Sequence, residues 1–181
     1  GDPASSNDPD GTRADMGALY FNHEFWAGDP LDVQGTVETT SWTAANSPYR
    51  VSGTVIIPSG NTLTIEPGVD VLFDADVQFI VEGVLDAVGT EADSIRFVKG
   101  TAAEWGGIRI YENDSSTVKY ARISDGHSSG ADPDKLGGGI YIGGITSVIS
   151  SSARLTLDHV VIEDNLSDSE GGGLWAGVGV T

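Results

Sequence analysis

The chain has no cysteine, which excludes a disulfide framework and any thiolate metal site. Bases are scarce: nine Lys and Arg stand against twenty-seven Asp and Glu, a formal net charge of −18 over 181 residues. Nucleic acid is therefore not expected as a partner, because neutralising phosphates needs clustered Lys and Arg. An anionic membrane surface is disfavoured for the same reason. No run is long or apolar enough to cross a bilayer, so membrane insertion is not expected either. The sequence does not begin with Met and carries no signal-peptide pattern, and it reads as a processed chain or a piece of a longer one. Lack of cysteine fits a bacterial protein working outside the cell. The acidic surface serves solubility at the least, and its sharper reading is a surface that binds divalent cations.

What the sequence has in abundance is glycine, 25 residues, between short apolar stretches with few helix formers. That composition points to an all-β chain with many turns. In VSGTVIIPSGNTLTIEPGVDVLF (51–73) three strands stand out: Thr54–Ile57, Leu63–Ile65 and Val71–Phe73. Between them lie Pro58-Ser59-Gly60-Asn61 and Glu66-Pro67-Gly68, where proline removes a donor and glycine permits left-handed dihedrals. Strands this short need repeated neighbours to be stable.

The chain supplies a repeat. Leu63 is followed by Leu85 and Ile108 at intervals of 22 and 23 residues. Val71 is followed by Ile95 and Val118 at 24 and 23, and Ile56 precedes Phe79 by 23. Further on, VKYARISDG (118–126) aligns with LDHVVIEDN (157–165), setting Ile123 over Ile162 and Asp125 over Asp164. GGGIYI (137–142) aligns with GGGLWA (171–176), with GGIRI (106–110) as an earlier copy. The added length falls in two acidic loops, His127–Lys135 and Asn165–Glu170, as insertions at one corner of a repeat do. This period of three short strands predicts a right-handed parallel β-helix, a three-sided solenoid over 51–181. Leucine-rich repeat spacing and hairpin turns, the marks of the competing folds, do not occur. Ahead of it, 1–21 reads as an acidic loop with the strand Ala18–Phe21. Residues 22–50 read as a connection and cap, with a strand near Val33–Val37 and with Trp26 and Trp42 covering the first turn.

On WTAANSPYRVSG (42–53), VIIPSGNTLTIEPGVDVLF (55–73), EWGGIRI (104–110) and the two GGG[IL] copies, the sequence resembles the secreted bacterial right-handed parallel β-helix repeat proteins of the pectate-lyase-like fold group. The likeness spans about three-quarters of the chain. DPASSNDPDGTRADMGALYF, at the start, is similar to the closing element that follows the last coil in such proteins. Its position ahead of a β-helix, and an ending in GGGLWAGVGVT with no cap behind it, point to a tandem array or a head-to-tail filament. In that arrangement residues 1–21 complete the open end of the neighbouring copy, with Leu19, Tyr20, Phe21, Leu174 and Trp175 at the joint.

Candidate chemistry is sparse. Asn7, Asp8, Asp10 and Asp15 have the oxygen density and glycine turn of a Ca²⁺ loop. The chain departs from the EF-hand pattern, with Ser6 first and Gly17 twelfth. A plain Asx-turn loop is the alternative. Asp132, Asp134, Asp164, Asp168 and Glu170 form a second acidic group, read either as solvated corners or as a site for a cation bridging stacked copies. Lyases and hydrolases share the fold, but the bases (Arg13, Arg50, Arg96, Lys99, Arg109, Lys119, Arg122, Lys135, Arg154) show no cluster beside carboxylates on one track. Asp125 and Asp164 stack with no acid/base division. Of the histidines, His159 aligns with Tyr120 and reads as a packing residue. The chain is thus expected to be non-catalytic. Tyr111, Tyr141 and Trp175 fall on one face, either as a ladder for polysaccharide or as a structural stack. The reading that follows is an extracellular structural protein that polymerises with itself. A fragment of a secreted adhesin or carbohydrate-active protein is the alternative.

Overall fold

The computed structural model describes residues 29–101, 104–111, 115–144 and 153–177. Its regular structure is β apart from one short 3-10 turn, Ala44–Asn46. The strands are β1 (Leu31–Thr36), β2 (Thr40–Trp42), β3 (Tyr49–Ile57), β4 (Thr62–Ile65), β5 (Asp70–Phe73), β6 (Phe79–Val81), β7 (Val84–Val88) and β8 (Ile95–Lys99). They continue as β9 (Ile108–Ile110), β10 (Ser116–Ser124), β11 (His127–Ser128), β12 (Ile140–Ile142), β13 (Leu155–Glu163), β14 (Leu166–Ser167) and β15 (Leu174–Ala176). Thirteen of them form a single sheet, and β11 pairs separately with β14. Each of these pairings is parallel.

The register resolves the large sheet into three ladders that the chain visits in rotation. Ladder I runs Leu31, Tyr49, Val71, Phe97, Ile123, Ile162. Ladder II runs Thr36, Ile56, Ile80, Arg109, Tyr141, Trp175. Ladder III runs Trp42, Ile65, Ala87, Val118, Leu157. β3 crosses from I to II, and β10 and β13 cross from III to I. That is why one sheet encloses the core. β1 and β2, which the sequence reading placed in a connecting cap, already belong to these ladders.

Alternation does the rest. In β4 and β7 Leu63, Ile65, Leu85 and Ala87 are buried, while their neighbours are partly buried or, at Val88, exposed. Both predicted corners are turns with glycine in the left-handed region, Gly60 at φ 80° and Gly68 at φ 77°. Along the inward columns Phe79 meets Phe73 and Phe97 edge-on, and Phe73 stacks flat on the buried Trp105 with ring centres 3.7 Å apart. Glycine is also required where later circuits lie close. A Cβ on Gly138 would stand 2.0 Å from the Leu166 carbonyl oxygen.

Several intervals read from the sequence join the wrong tracks. Leu63 does sit beside Leu85, but Ile108 belongs to ladder II, next to Phe79. Val71 faces Phe97 and not Ile95, and Val118 lies on ladder III. Phe79 is level with Val55, one residue before Ile56. Every ladder carries the same in-out alternation, so periodicity alone cannot say which side of the enclosure a strand occupies once corners lengthen. The later alignments hold: Ile123 pairs with Ile162, and Tyr141 with Trp175.

Candidate functional site

The ends of the stack differ from its middle. β13 and β15 have a partner on one edge only among the described residues. Their inward side chains continue the core columns but are not covered. Leu155, Val160, Ile162 and Leu174 are only partly buried, and Leu157 is 36% exposed. One circuit below, Val118, Ala121, Ile123, Ile140 and Ile142 are at most 5% exposed. Val161 and Leu166, the other exposed large apolar residues of this end, are 52% and 56% exposed. At the opposite end Trp42 lies flat on Tyr49, centroids 4.8 Å apart, and is 4% exposed. There the Tyr49 hydroxyl accepts from the Thr43 amide at 2.8 Å. Leu31, at the head of ladder I, is 48% exposed.

Of the residues expected at a joint, Leu174 and Trp175 lie on this uncovered circuit. Leu19, Tyr20 and Phe21 fall outside the described residues, as do the Ca²⁺-loop candidates Asn7, Asp8, Asp10 and Asp15.

Tyr111, Tyr141 and Trp175 do come together. Tyr141 and Trp175 are parallel at 5.0 Å, and Tyr111 meets Tyr141 at 5.9 Å. They do not make an open platform, however, because Tyr111 and Tyr141 are buried. The closure centres on Arg109, which alternation would send to solvent and which is 1% exposed. Its guanidinium donates to the carbonyls of Gly106 (2.9 Å), Asp134 (3.0 Å) and Leu136, and lies over the Tyr141 ring. The loop carrying Asp134 and Leu136 is thereby held down on ladder II. Burial pushes the Arg109 pKa below its usual value, with Tyr111 and Asp134 acting the other way. The same burial raises the Tyr111 and Tyr141 hydroxyls. Arg109 was invisible as a structural residue in the sequence because the loop that covers it has no periodicity.

The second acidic group is shared out among local partners. Asp132 pairs with Lys135 at 3.3 Å and Asp168 with His127 at 3.0 Å. Asp134 accepts from the Gln78 amide at 3.2 Å, and Glu170 from the Trp175 indole at 3.3 Å. Asp164 is exposed and adopts φ 54°, with Asp125 one circuit below at φ 64°. The two loops do meet: Ser167 donates to the Lys135 carbonyl at 2.8 Å. Among the described residues no three His, Asp or Glu converge as a cation site. Asn165 instead knits this corner. Its amide nitrogen donates to the Ile123 and Glu163 carbonyls, and its oxygen accepts from the Gly126 amide.

The bases are more ordered than the sequence implied. Arg50, Arg96, Lys99 and Arg122 all lie along ladder I, and each is tied to an acid: Asp74, Asp70, Asp125 and Glu163. Lys119 holds Asp158 at 2.6 Å, and this hydrogen bond lowers the Asp158 carboxyl below the usual range, with His159 assisting. Beside them Tyr120 and His159, both left-handed at φ 45° and 53°, stack at 4.7 Å as the alignment implied. No helix among the described residues is long and apolar enough to cross a membrane. Neither a family model, nor a curated protein, nor a solved structure matches the chain.

Proposed function

We propose that this chain is a right-handed parallel β-helix and an extracellular structural protein that stacks end to end with other copies of itself. The observation that carries the reading is the last described circuit, whose inward side chains are only partly buried among the described residues. Six inward positions, Leu155, Leu157, Val160, Ile162, Leu174 and Ala176, sit on core columns that are sealed one circuit earlier. An edge strand with exposed apolar side chains is a template for another strand. A joint between one copy's last circuit and the next copy's leading part is heterologous and does not close, so it generates a filament. Residues 1–21 of the incoming copy help to complete that end. A non-catalytic role fits the ion-paired state of the bases along ladder I.

Sedimentation velocity over a wide concentration range, with electron microscopy of the concentrated protein, tests this. Mass rising with concentration and filaments one subunit wide are expected. A single monomeric species throughout would overturn it.

A further inference from the structure

We infer that Asn165 is an acceptor amide for N-linked glycosyl transfer that the fold withholds, so that a glycan here and a closed corner exclude one another in the same molecule. This goes beyond the end-to-end reading and does not rest on it. Asn165-Leu166-Ser167 is an N-x-S triplet, the pattern on which glycans are placed in surface loops of secreted chains. Leu166 is indeed 56% exposed. The asparagine beside it is half-buried and fully engaged. Its amide nitrogen donates to the Ile123 carbonyl at 3.0 Å and to the Glu163 carbonyl at 2.8 Å, and its oxygen accepts from the Gly126 amide at 2.8 Å. The serine hydroxyl of the triplet is taken as well. It lies 2.8 Å from the Lys135 carbonyl oxygen and 2.9 Å from that of Glu170, and it accepts from the Ser169 amide at 3.2 Å.

The glycan and the corner compete for the same hydrogens. An asparagine amide nitrogen carries two of them, and here each has its own carbonyl. Transfer from a lipid-linked glycosyl diphosphate forms a bond from Nδ2 to the sugar C1 carbon and breaks the bond from C1 to the donor's phosphate oxygen. One Nδ2 hydrogen leaves as a proton. The product nitrogen keeps a single hydrogen, so one of the two carbonyls loses its donor. The sugar takes the place of the lost hydrogen, and so would be set on a carbonyl oxygen only 3.0 or 2.8 Å from Nδ2. Glycine backbone closes the other sides. A Cβ on Gly139 would stand 2.9 Å from Nδ2, and one on Gly126 2.9 Å from the Asn165 oxygen. The Leu166 amide donates to the Gly126 carbonyl at 2.7 Å, which ties the middle of the triplet to the circuit below. A transferase therefore reaches this amide only while the corner is open, before β13 and β14 have paired with β10 and β11.

The test is to produce the full chain, led by a secretion signal, in glycosylating cells. Asn113→Gln removes the other N-x-S triplet, so Asn165 is the acceptor that remains. Peptide mass spectrometry is then run separately on chains that resist limited proteolysis and on chains that do not. Resistant chains should carry roughly tenfold less glycan at Asn165 than sensitive ones, because reaching the amide requires local opening. A Cβ on Gly126 would strike the Gly138 carbonyl oxygen at 2.3 Å, so Gly126→Ala props the corner open and should raise total occupancy several-fold. Equal occupancy in resistant and sensitive chains overturns the proposal. Absence of glycan from every fraction of both proteins overturns it too, since the amide is then no acceptor. Asn165→Asp probes the hold without any glycan, because it keeps the shape of the side chain and donates nothing. It should lower the urea midpoint by about 1 M or prevent folding. An unchanged midpoint would show that the two donated bonds do not hold the corner, and the exclusion would fall with them.

Discussion

The first and last described circuits are built on the same three ladders, yet the first turns a buried tryptophan into the core and the last has no side chain buried to that degree. At the front, the ring of Trp42 turns into the enclosure, stacks on Tyr49 and is buried. At the back, the equivalent position on ladder III is Leu157, which is too small to bridge the enclosure and is left exposed. The pairing pattern is the same at both ends. The difference at this position of ladder III is one of side-chain size: an indole reaches Tyr49, and a leucine does not reach as far.

The largest effect should come from emptying the Trp42 position. Trp42→Ala leaves Tyr49 and Phe79 facing a void, and should cost about 3–5 kcal/mol in urea unfolding. Leu157→Ala in dilute protein should cost about 1 kcal/mol or less, since little is buried there. Equal losses at the two positions would erase the contrast between the ends.

Next in size is the circuit between them. Arg109→Leu removes the donors of three carbonyls, one buried and two part-buried, while keeping bulk against Tyr141. A loss of about 1–3 kcal/mol is expected, together with faster protease cleavage within residues 129–137. An unchanged cleavage rate would mean that the loop is held by other contacts.

The smallest effect lies at the open edge. Asp158, on the last circuit, has its carboxyl pKa lowered chiefly by the hydrogen bond from Lys119. A depressed carboxylate contributes stability above the unfolded value, about 3.9. That contribution is lost only as pH falls through the lower folded value. NMR titration should find Asp158 still ionised when ordinary aspartates have begun to protonate, and Lys119→Met should bring it back towards them. No movement on substitution would show that Lys119 does not set it.

Much of this arrangement is legible along the chain, for identifiable reasons. Gly60 and Gly68 mark corners because left-handed backbone leaves few other residues. The pairing of GGGIYI with GGGLWA is readable because its glycines admit neighbouring carbonyl oxygens that a Cβ would strike. Ladder membership in the middle of the chain was not readable. Corners of unequal length shift the phase, and Val118 looks equally suited to any inward column. The closed aromatic column was half readable: the sequence aligned Tyr111, Tyr141 and Trp175 but gave no sign that a loop would fold over them. The loops of the second acidic group touch through Ser167 and Lys135, and the partners of Asp132, Asp134, Asp168 and Glu170 are Lys135, Gln78, His127 and Trp175, which the repeat pattern did not indicate.

By itself the sequence determined the all-β character, the short strands, the corners and the in-out alternation, because these depend on backbone preferences and local polarity. It also determined that acids outnumber bases three to one. Tertiary structure alone decided which strands share a ladder, that Arg109 is buried under a loop, and that Trp42 is buried on Tyr49 while Leu157 is left exposed. Those outcomes depend on what stacks above and below each residue, and that neighbour lies a full circuit away in the chain.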